Sequence, residues 1–276
     1  MNQIFDNNNI LNNEEFLKDK YKFSLIGHNL GLEETIIYSD EENYIFILGK
    51  KHKPIWLWTK SDISQEKIAE IKNILEIIEL HEYSTFACKE SLYKQLVFKS
   101  NDYSIEEVSG CYIYNTLNKP KESDGYLEKA KETDRNTITK MWYDTCVEAN
   151  PDNHISYELA QKFVDRFLES DTFYVLKNNK GEIVSIIDYT KVDSYAEIAH
   201  AYTIPKERGK GYMANAVYKL TKIIIEKEMI PVLSTDYNYL PSNKCYQNIG
   251  YKLDDKIFVF SKNKMLKDNK IKGKRN

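Results

Sequence analysis

Short predicted strands and helices alternate through the second half of the chain, and this alternation restricts the fold more than any other feature of the sequence. The predicted order is β-α-α-β-β-β-α-β-α-β, which is typical of a mixed sheet covered by helices. The segment 178–181 (NNKG) separates two apolar runs and predicts a tight hairpin. The fold class predicted from this pattern is α/β with a mixed sheet.

A polar segment at 115–125 divides the chain. It contains Asn, Pro, Ser, Asp and Gly without an apolar period, which predicts a linker. We expect an N-terminal domain at 1–120, a C-terminal domain at 121–262 and a flexible basic tail at 263–276. A length of 276 residues is sufficient for two such domains.

Composition excludes several classes of protein. A content of 42% hydrophobic and 13% aromatic residues argues against disorder, and a net charge of -3 argues against a dedicated nucleic-acid binder. Cys88, Cys111, Cys146 and Cys245 lack metal-ligand spacing, so we expect no metal site, and free thiols suit a reducing compartment. The sequence shows neither a signal peptide nor an apolar run of the ~20 residues that span a bilayer. We therefore expect a cytoplasmic protein that binds neither nucleic acid nor membrane.

The segment 205–214 combines glycines and cations directly after a predicted strand. Gly209 and Gly211 permit a tight turn, and a helix that begins near Gly211 directs its free N–H groups into the same space. Lys206, Arg208 and Lys210 add positive charge. This combination predicts a site for a phosphate or pyrophosphate, although it matches neither the Walker nor the GxGxxG pattern.

Two segments resemble motifs of the GNAT superfamily of acyl-CoA N-acyltransferases. The segment 208–213 (RGKGYM) resembles the signature R/Q-x-x-G-x-G/A, and Met213 departs from the Gly or Ala that the family prefers. The segment 242–251 (SNKCYQNIGY) resembles the late S-N-x-x-Y-x-x-x-G-F/Y helix. Both occur in the family's order, and the resemblance extends over 126–262.

The resemblance implies a GNAT fold that binds acetyl-CoA. The diphosphate would bind the backbone amides of the glycine loop, and the pantetheine arm would pair with the strand before it, where an N–H would also stabilise the oxyanion. Tyr239 stands where the family often has an asparagine. The cofactor-binding residues predicted in this way are Ala201, Tyr202, Thr203, Arg208, Gly209, Lys210, Gly211, Tyr212, Met213 and Asn243.

The resemblance also implies two catalytic residues. Tyr246 matches the tyrosine that the family places near the CoA sulfur. Glu197, on an otherwise apolar strand, matches the base of histone-acetyltransferase-like members and is the first candidate for the general base. His200 and Asp188 are alternatives, and proton transfer through water is a further one.

Residues 1–120 contain no catalytic motif, but their pattern echoes the second half. The matched pairs are 43–58 with 172–187 and 91–98 with 244–251. The interval from Tyr44 to Tyr93 is shorter than that from Phe173 to Tyr246 by about the length of the CoA-binding strand and loop. The pattern predicts two GNAT-like domains, of which the N-terminal one is degenerate and lacks the cofactor motif.

We therefore expect an N-acetyltransferase that transfers an acetyl group directly from acetyl-CoA to a primary amine. The acceptor is a small-molecule or peptide amine, and its identity, the acyl chain length and the oligomeric state stay open. The first alternative is a non-catalytic acyl-CoA-binding sensor or scaffold. The second is a transferase that uses aminoacyl-tRNA, as in some tandem GNAT proteins, and the 208–213 loop argues against it.

Overall fold

The computed structural model describes residues 2–3, 9–23, 36–48, 54–79, 85–97, 103–152 and 154–262. The chain divides into two units, of which the first comprises 1–111, 235–239 and 254–276 and the second 112–234 and 240–253. The predicted linker at 115–125 therefore belongs to the second unit. The predicted tail at 263–276 lies outside the described residues.

The described elements follow one another in mixed α/β order. The strands are β1 (Asn2–Gln3), β2 (Ile36–Ser39), β3 (Tyr44–Leu48), β4 (Ile55–Thr59), β5 (Thr85–Lys89), β6 (Tyr103–Tyr114), β7 (Tyr126–Lys129), β8 (Phe173–Lys177), β9 (Ile183–Val192), β10 (Tyr195–Thr203), β11 (Ile230–Asp236) and β12 (Tyr251–Lys262). The α-helices are α1 (Glu14–Asp19), α2 (Gln65–Glu79), α3 (Glu90–Val97), α4 (Arg135–Ala149), α5 (Tyr157–Glu169), α6 (Tyr212–Glu226) and α7 (Leu240–Ile249). Short 3₁₀ helices occur at Asn9–Asn12, Lys20–Phe23, Glu132–Asp134 and Pro205–Glu207.

In the first unit, β1 to β4 pair antiparallel in chain order, and β4 pairs parallel with β5. Helix α2 connects these two parallel strands and buries Ile68, Ile71 and Leu75 at helical spacing in the core. Elsewhere in this unit, the buried carboxylate of Asp19 accepts hydrogen bonds from Lys89 at 2.6 Å and from the indole of Trp58 at 2.9 Å. A buried charge is tolerated here because its hydrogen bonds are satisfied within the unit.

In the second unit, β7 to β10 pair antiparallel in chain order, and β10 pairs parallel with β11. Helices α6 and α7 cover one face of this sheet, where Leu220 and Ile249 are buried. Helices α4 and α5 cover the other face through Met141 and Val164. The predicted fold class, a mixed α/β sheet with helices, is confirmed.

Both units contain the same order of a hairpin, a helix and a parallel strand. By this order, β3 and β4 correspond to β9 and β10, rather than to the β8–β9 hairpin that the sequence comparison selects. The first unit therefore has a strand before its helix, but β4 has five residues where β10 has nine, and the loop that follows β4 is shorter. That loop, 60–64, contains no glycine, and the hydroxyl of Ser64 accepts the N–H of Lys67 at 3.2 Å. A side chain thus caps the helix N-terminus that would otherwise receive an anion.

The linker 115–125 packs against the end of α7. The N–H of Asn118 donates to the carbonyl of Ile249 at 2.8 Å, and the N–H of Thr116 donates to that of Gly250 at 3.3 Å. Gly250 has φ +110°, and a Cβ at this position would lie 1.7 Å from the carbonyl oxygen of Thr116. The glycine of the 242–251 segment is therefore required by both its backbone angle and this close approach.

We expect Gly250→Ala to lower the free energy of unfolding by about 2–5 kcal/mol, because overpacking and positive-φ strain add. Gly181→Ala is the matched control, since Gly181 has φ +78° and nothing within 4 Å of its Cβ position. It should cost only the strain, about 1–2 kcal/mol. Urea unfolding measures both, and equal losses would show that the Thr116 contact imposes no constraint.

Candidate active site

Strand β10 loses one of its two neighbours halfway along its length. It pairs with β11 from Tyr195–Ile230 to Ile198–Leu233, and in the described chain no β10–β11 pair follows. On the other side it stays paired with β9 up to Thr203–Ser185. The edge of β10 at 199–203 is therefore turned away from β11, and an extended amide chain can add to such an edge. Ala201, Tyr202 and Thr203, the predicted pantetheine contacts, lie on it.

The glycine loop joins this edge to α6. Gly209 and Gly211 have φ +76° and +83°, conformations that side chains other than glycine rarely adopt. Gly211 is the N-cap of α6 and has no side chain that could accept a hydrogen bond. It therefore leaves the backbone N–H groups of the first turn, including those of Tyr212 and Met213, without a side-chain cap. The loop from Arg208 to Gly211 is exposed. This arrangement fits the anion site predicted from the sequence, and Lys210 at its rim pairs with Glu207 at 2.9 Å.

Arg208 lies at the start of the loop and contacts α4. Its Nε donates to the carbonyl of Thr203 at 2.9 Å, and its two terminal nitrogens donate to the carboxylate of Glu148 at 2.8 and 2.6 Å. The hydrogen bond from Arg208 lowers the pKa of Glu148 below its usual value. The guanidinium also lies 5.3 Å from the ring centroid of Tyr202. Arg208 therefore ties the end of β10 to the end of α4.

The linker supports the other side of the loop. Asn215 donates to the carbonyls of Lys121 and Gly211 at 2.8 and 3.0 Å. The hydroxyl of Tyr212 donates to Asp124 at 2.5 Å, and this bond, together with burial, raises the pKa of Tyr212 to about 12. The side chains of Tyr212 and Asn215 thus hold the N-terminus of α6 against the linker.

Tyr246 and Asn243 lie one turn apart on the buried side of α7. Asn243 is buried, and its Oδ1 accepts a hydrogen bond from Tyr112 at 2.7 Å. Tyr246 belongs to the apolar cluster that contains Ile198 and Leu233, the last pair before β10 leaves β11. Its hydroxyl has no hydrogen-bond partner among the described residues, and burial raises its pKa well above the ordinary value.

A β-bulge at 199–202 brings His200 to Asp188. His200 has φ +47°, and its Nδ1 lies 2.9 and 3.0 Å from the two carboxylate oxygens of Asp188. A carboxylate only accepts hydrogen bonds, so in this contact Nδ1–H would be the donor, and Nε2 would carry the lone pair whenever the ring is neutral. Asp188 is buried, whereas 34% of the His200 side chain is exposed.

The bulge also decides which face His200 occupies. Ala196 and Ile198 pack on the α6 side, and regular alternation would place His200 there as well. The extra residue reverses the alternation, so His200 shares the α4–α5 face with Tyr202. Glu197 lies on this face by alternation, two positions before the bulge. All three base candidates therefore face α4 and α5, and Tyr246 lies on the opposite face.

Known proteins resemble this chain in sequence over one segment and in fold over most of its length. Residues 136–251 match the family model described as "Acetyltransferase (GNAT) family". A GNAT-family acetyltransferase from Colwellia psychrerythraea has a similar structure, with a TM-score of 0.65, 12% identity and coverage of 95% of this chain and 99% of its own. A GCN5-related N-acetyltransferase from Sphaerobacter thermophilus gives a TM-score of 0.58 at 9% identity, covering 87% of this chain and 85% of its own. A search of curated protein sequences gave no significant match.

The predicted superfamily is therefore confirmed for the segment that carries both motifs, because residues 136–251 match the GNAT family model. A tandem GNAT protein from the clavulanic acid biosynthesis pathway is also similar in fold, with a TM-score of 0.52, 8% identity and coverage of 83% of this chain and 79% of its own. These coverages extend the likeness of fold into the first unit. They show the fold alone.

Two further observations concern the described residues only. No helix among them is long and apolar enough to cross a membrane. No group of three or more His, Cys, Asp or Glu side chains among them is arranged to hold a metal ion.

The raised pKa of Tyr212 predicts a pH-dependent contribution to stability. The folded protein keeps the phenolic proton at pH values where the unfolded chain loses it, so the contribution is complete below pH 10 and is lost as the pH rises to about 12. The difference in unfolding free energy between wild type and Tyr212→Phe should fall over this range. In an Asp124→Asn background that fall should become much smaller, because the bond to Asp124 is its largest cause. A difference that stays constant up to pH 12 in the wild-type background would contradict the assignment.

Proposed function

We propose that the second unit transfers an acetyl group from acetyl-CoA to a primary amine, directly within a complex that holds both substrates. When bound, acetyl-CoA supplies the thioester carbon that the amine attacks, and its sulfur is the leaving group. The observation that carries the proposal is the continuous path formed by the released edge of β10, the glycine loop and the uncapped start of α6.

The loop is suited to the diphosphate. Gly209 and Gly211 hold their amides in left-handed conformations that close a concave turn, and such turns bind anions through backbone N–H groups. Lys206 and Lys210 contribute exposed positive charge. Arg208 contributes by position, because its bonds to Glu148 and Thr203 fix the entrance to the loop.

We assign Tyr246 a role at the sulfur of acetyl-CoA. Its phenol stays protonated at physiological pH, because burial raises its pKa above the ordinary 10.0. A free thiol has a pKa near 8.5, so complete proton transfer from this phenol to the leaving sulfur is unfavourable. We therefore assign Tyr246 the role of a hydrogen-bond donor that stabilises the developing negative charge.

We assign His200 the role of the base that accepts the proton of the amine. An imidazole is the side chain that most often acts as a general base in enzymes, and a positioned base of this kind is effective. Asp188 orients the ring so that Nε2 presents its lone pair. Glu197, the base predicted from the sequence, stays a candidate on the same face. The paired geometry of His200 and Asp188 leads us to prefer His200.

The cofactor assignment predicts a thermal shift. Acetyl-CoA should raise the melting temperature of the wild type, and Gly209→Ala should abolish this rise because it forces the loop amides out of their turn. Gly181→Ala is the matched control, since its φ of +78° nearly equals the +76° of Gly209 and both Cβ positions are unobstructed. The control should lower stability equally and keep the shift. The absence of any shift in the wild type would overturn the proposal.

The base assignment predicts a selective loss of rate. Asparagine tolerates a left-handed backbone, so His200→Asn keeps the bulge while removing the imidazole. Thiol release from acetyl-CoA with an amine panel should fall by about 10²–10⁴-fold, with the acetyl-CoA thermal shift unchanged. Glu197→Gln should retain most of the wild-type rate.

Each other result has a distinct meaning. A large loss of the thiol-release rate in Glu197→Gln, but not in His200→Asn, would identify Glu197 as the base. Equal, small effects of both variants would indicate proton transfer through water. If acetyl-CoA binds but no amine causes thiol release, the protein is a non-catalytic acyl-CoA-binding module and the enzyme assignment is wrong.

A further inference from the structure

Aromatic rings enclose the imidazole of His200 on the α4–α5 face. The ring centroid of Trp142 lies 4.6 Å from that of His200 at an interplanar angle of 86°, and that of Phe167 lies at 5.2 Å. Phe163 extends the group, 6.2 Å from Trp142 and 6.4 Å from Phe167. Trp142, Phe163 and Phe167, here called the aromatic cluster, are all half-buried and so retain surface for a ligand.

We propose that this aromatic cluster binds the acceptor, and that the acceptor is a primary amine with an aromatic body. The proposal rests on the proposed function, since it places the reacting amine at Nε2 of His200. An aromatic body next to that amine would pack edge-to-face or offset against the indole and the two phenyl rings. The ammonium form of the amine is also attracted to the ring faces before it loses its proton.

The indole nitrogen of Trp142 gives a second indication of a ligand. Trp142 Nε1 is buried and has no hydrogen-bond partner among the described residues. Folded proteins rarely leave a buried donor unpaired, and a water molecule or a ligand usually completes such a site. A polar atom on the acceptor, or a water held beside it, would satisfy this N–H.

Charge on α5 argues against polycationic acceptors. The guanidinium of Arg166 lies 5.1 Å from the ring centroid of Phe163, which contacts Trp142 and Phe167, the two rings that contact His200. A second ammonium group on the acceptor would meet this positive charge, whereas an uncharged ring would not. The site therefore favours an aromatic monoamine over a polyamine.

The cluster also packs against the core of the α4–α5 face, where Phe167 stacks on Phe173 at 4.6 Å. Core packing explains why the faces of these rings that point into the protein are apolar. It does not account for an imidazole inserted between Trp142 and Phe167 with its Nδ1 fixed by a buried carboxylate.

The test measures binding in the presence of CoA, so that it does not depend on turnover. Calorimetry with 2-phenylethylamine and with spermidine should show the aromatic amine binding about 10-fold more tightly or better. Trp142→Leu should weaken 2-phenylethylamine about 10-fold, and Trp142→Phe should restore most of the affinity. Tyr126→Leu, which removes an exposed ring from β7 of the same unit, is the control and should change nothing.

The outcomes separate this inference from the proposed function. If acetyl-CoA binds and spermidine is preferred, or if Trp142→Leu binds 2-phenylethylamine like the wild type, the aromatic acceptor is wrong and the acetyl-CoA site stands. If acetyl-CoA itself does not bind, the proposed function fails first. Thiol release with 2-phenylethylamine, abolished in His200→Asn and reduced in Trp142→Leu, would support both.

Discussion

The separation of β10 from β11 is the constraint on which the site depends. A strand in the middle of a sheet normally uses both edges, and β10 gives up one of them after Ile198–Leu233 while β9 holds the other. The bulge at 199–202 accompanies this change, since an additional residue increases local twist and bends the strand. The same bulge turns His200 toward Asp188, so one backbone irregularity both opens the edge and aims the candidate base.

Much of this architecture could be predicted from the sequence. Apolar periodicity and the glycine positions predicted the alternation of strands and helices, the loop after β10 and the start of α6 near Gly211. Local signals suffice for such features because propensity and turn chemistry act within a few residues. The hydrogen bond between His200 and Asp188 could not be predicted in this way, because it depends on a bulge that the alternation of residues along β10 does not reveal.

The comparison of the two halves shows where sequence similarity can mislead. Short apolar runs matched 43–58 to 172–187, but the order of strands matches β4 to β10. Hairpin patterns recur along an antiparallel sheet, so a shift by one strand changes little in the sequence signal. The parallel pairs β4–β5 and β10–β11 fix the register of the comparison, since each requires a helical crossover. With that register, the first unit differs from the second both in the shorter loop and in the shorter strand, since β4 has five residues and β10 has nine.

The proposed chemistry requires groups on both faces of one sheet, and the open edge of β10 is what connects them. His200 and Asp188 lie on the α4–α5 face, whereas Tyr246 lies with α6 and α7. In a closed sheet the backbone hydrogen bonds between β10 and β11 would separate the base from the donor to the leaving group. Where the pairing has ended, an acyl group bound at this edge would have the amine and His200 on one side and Tyr246 on the other. Proton removal and stabilisation of the leaving sulfur can then occur without either residue crossing the sheet.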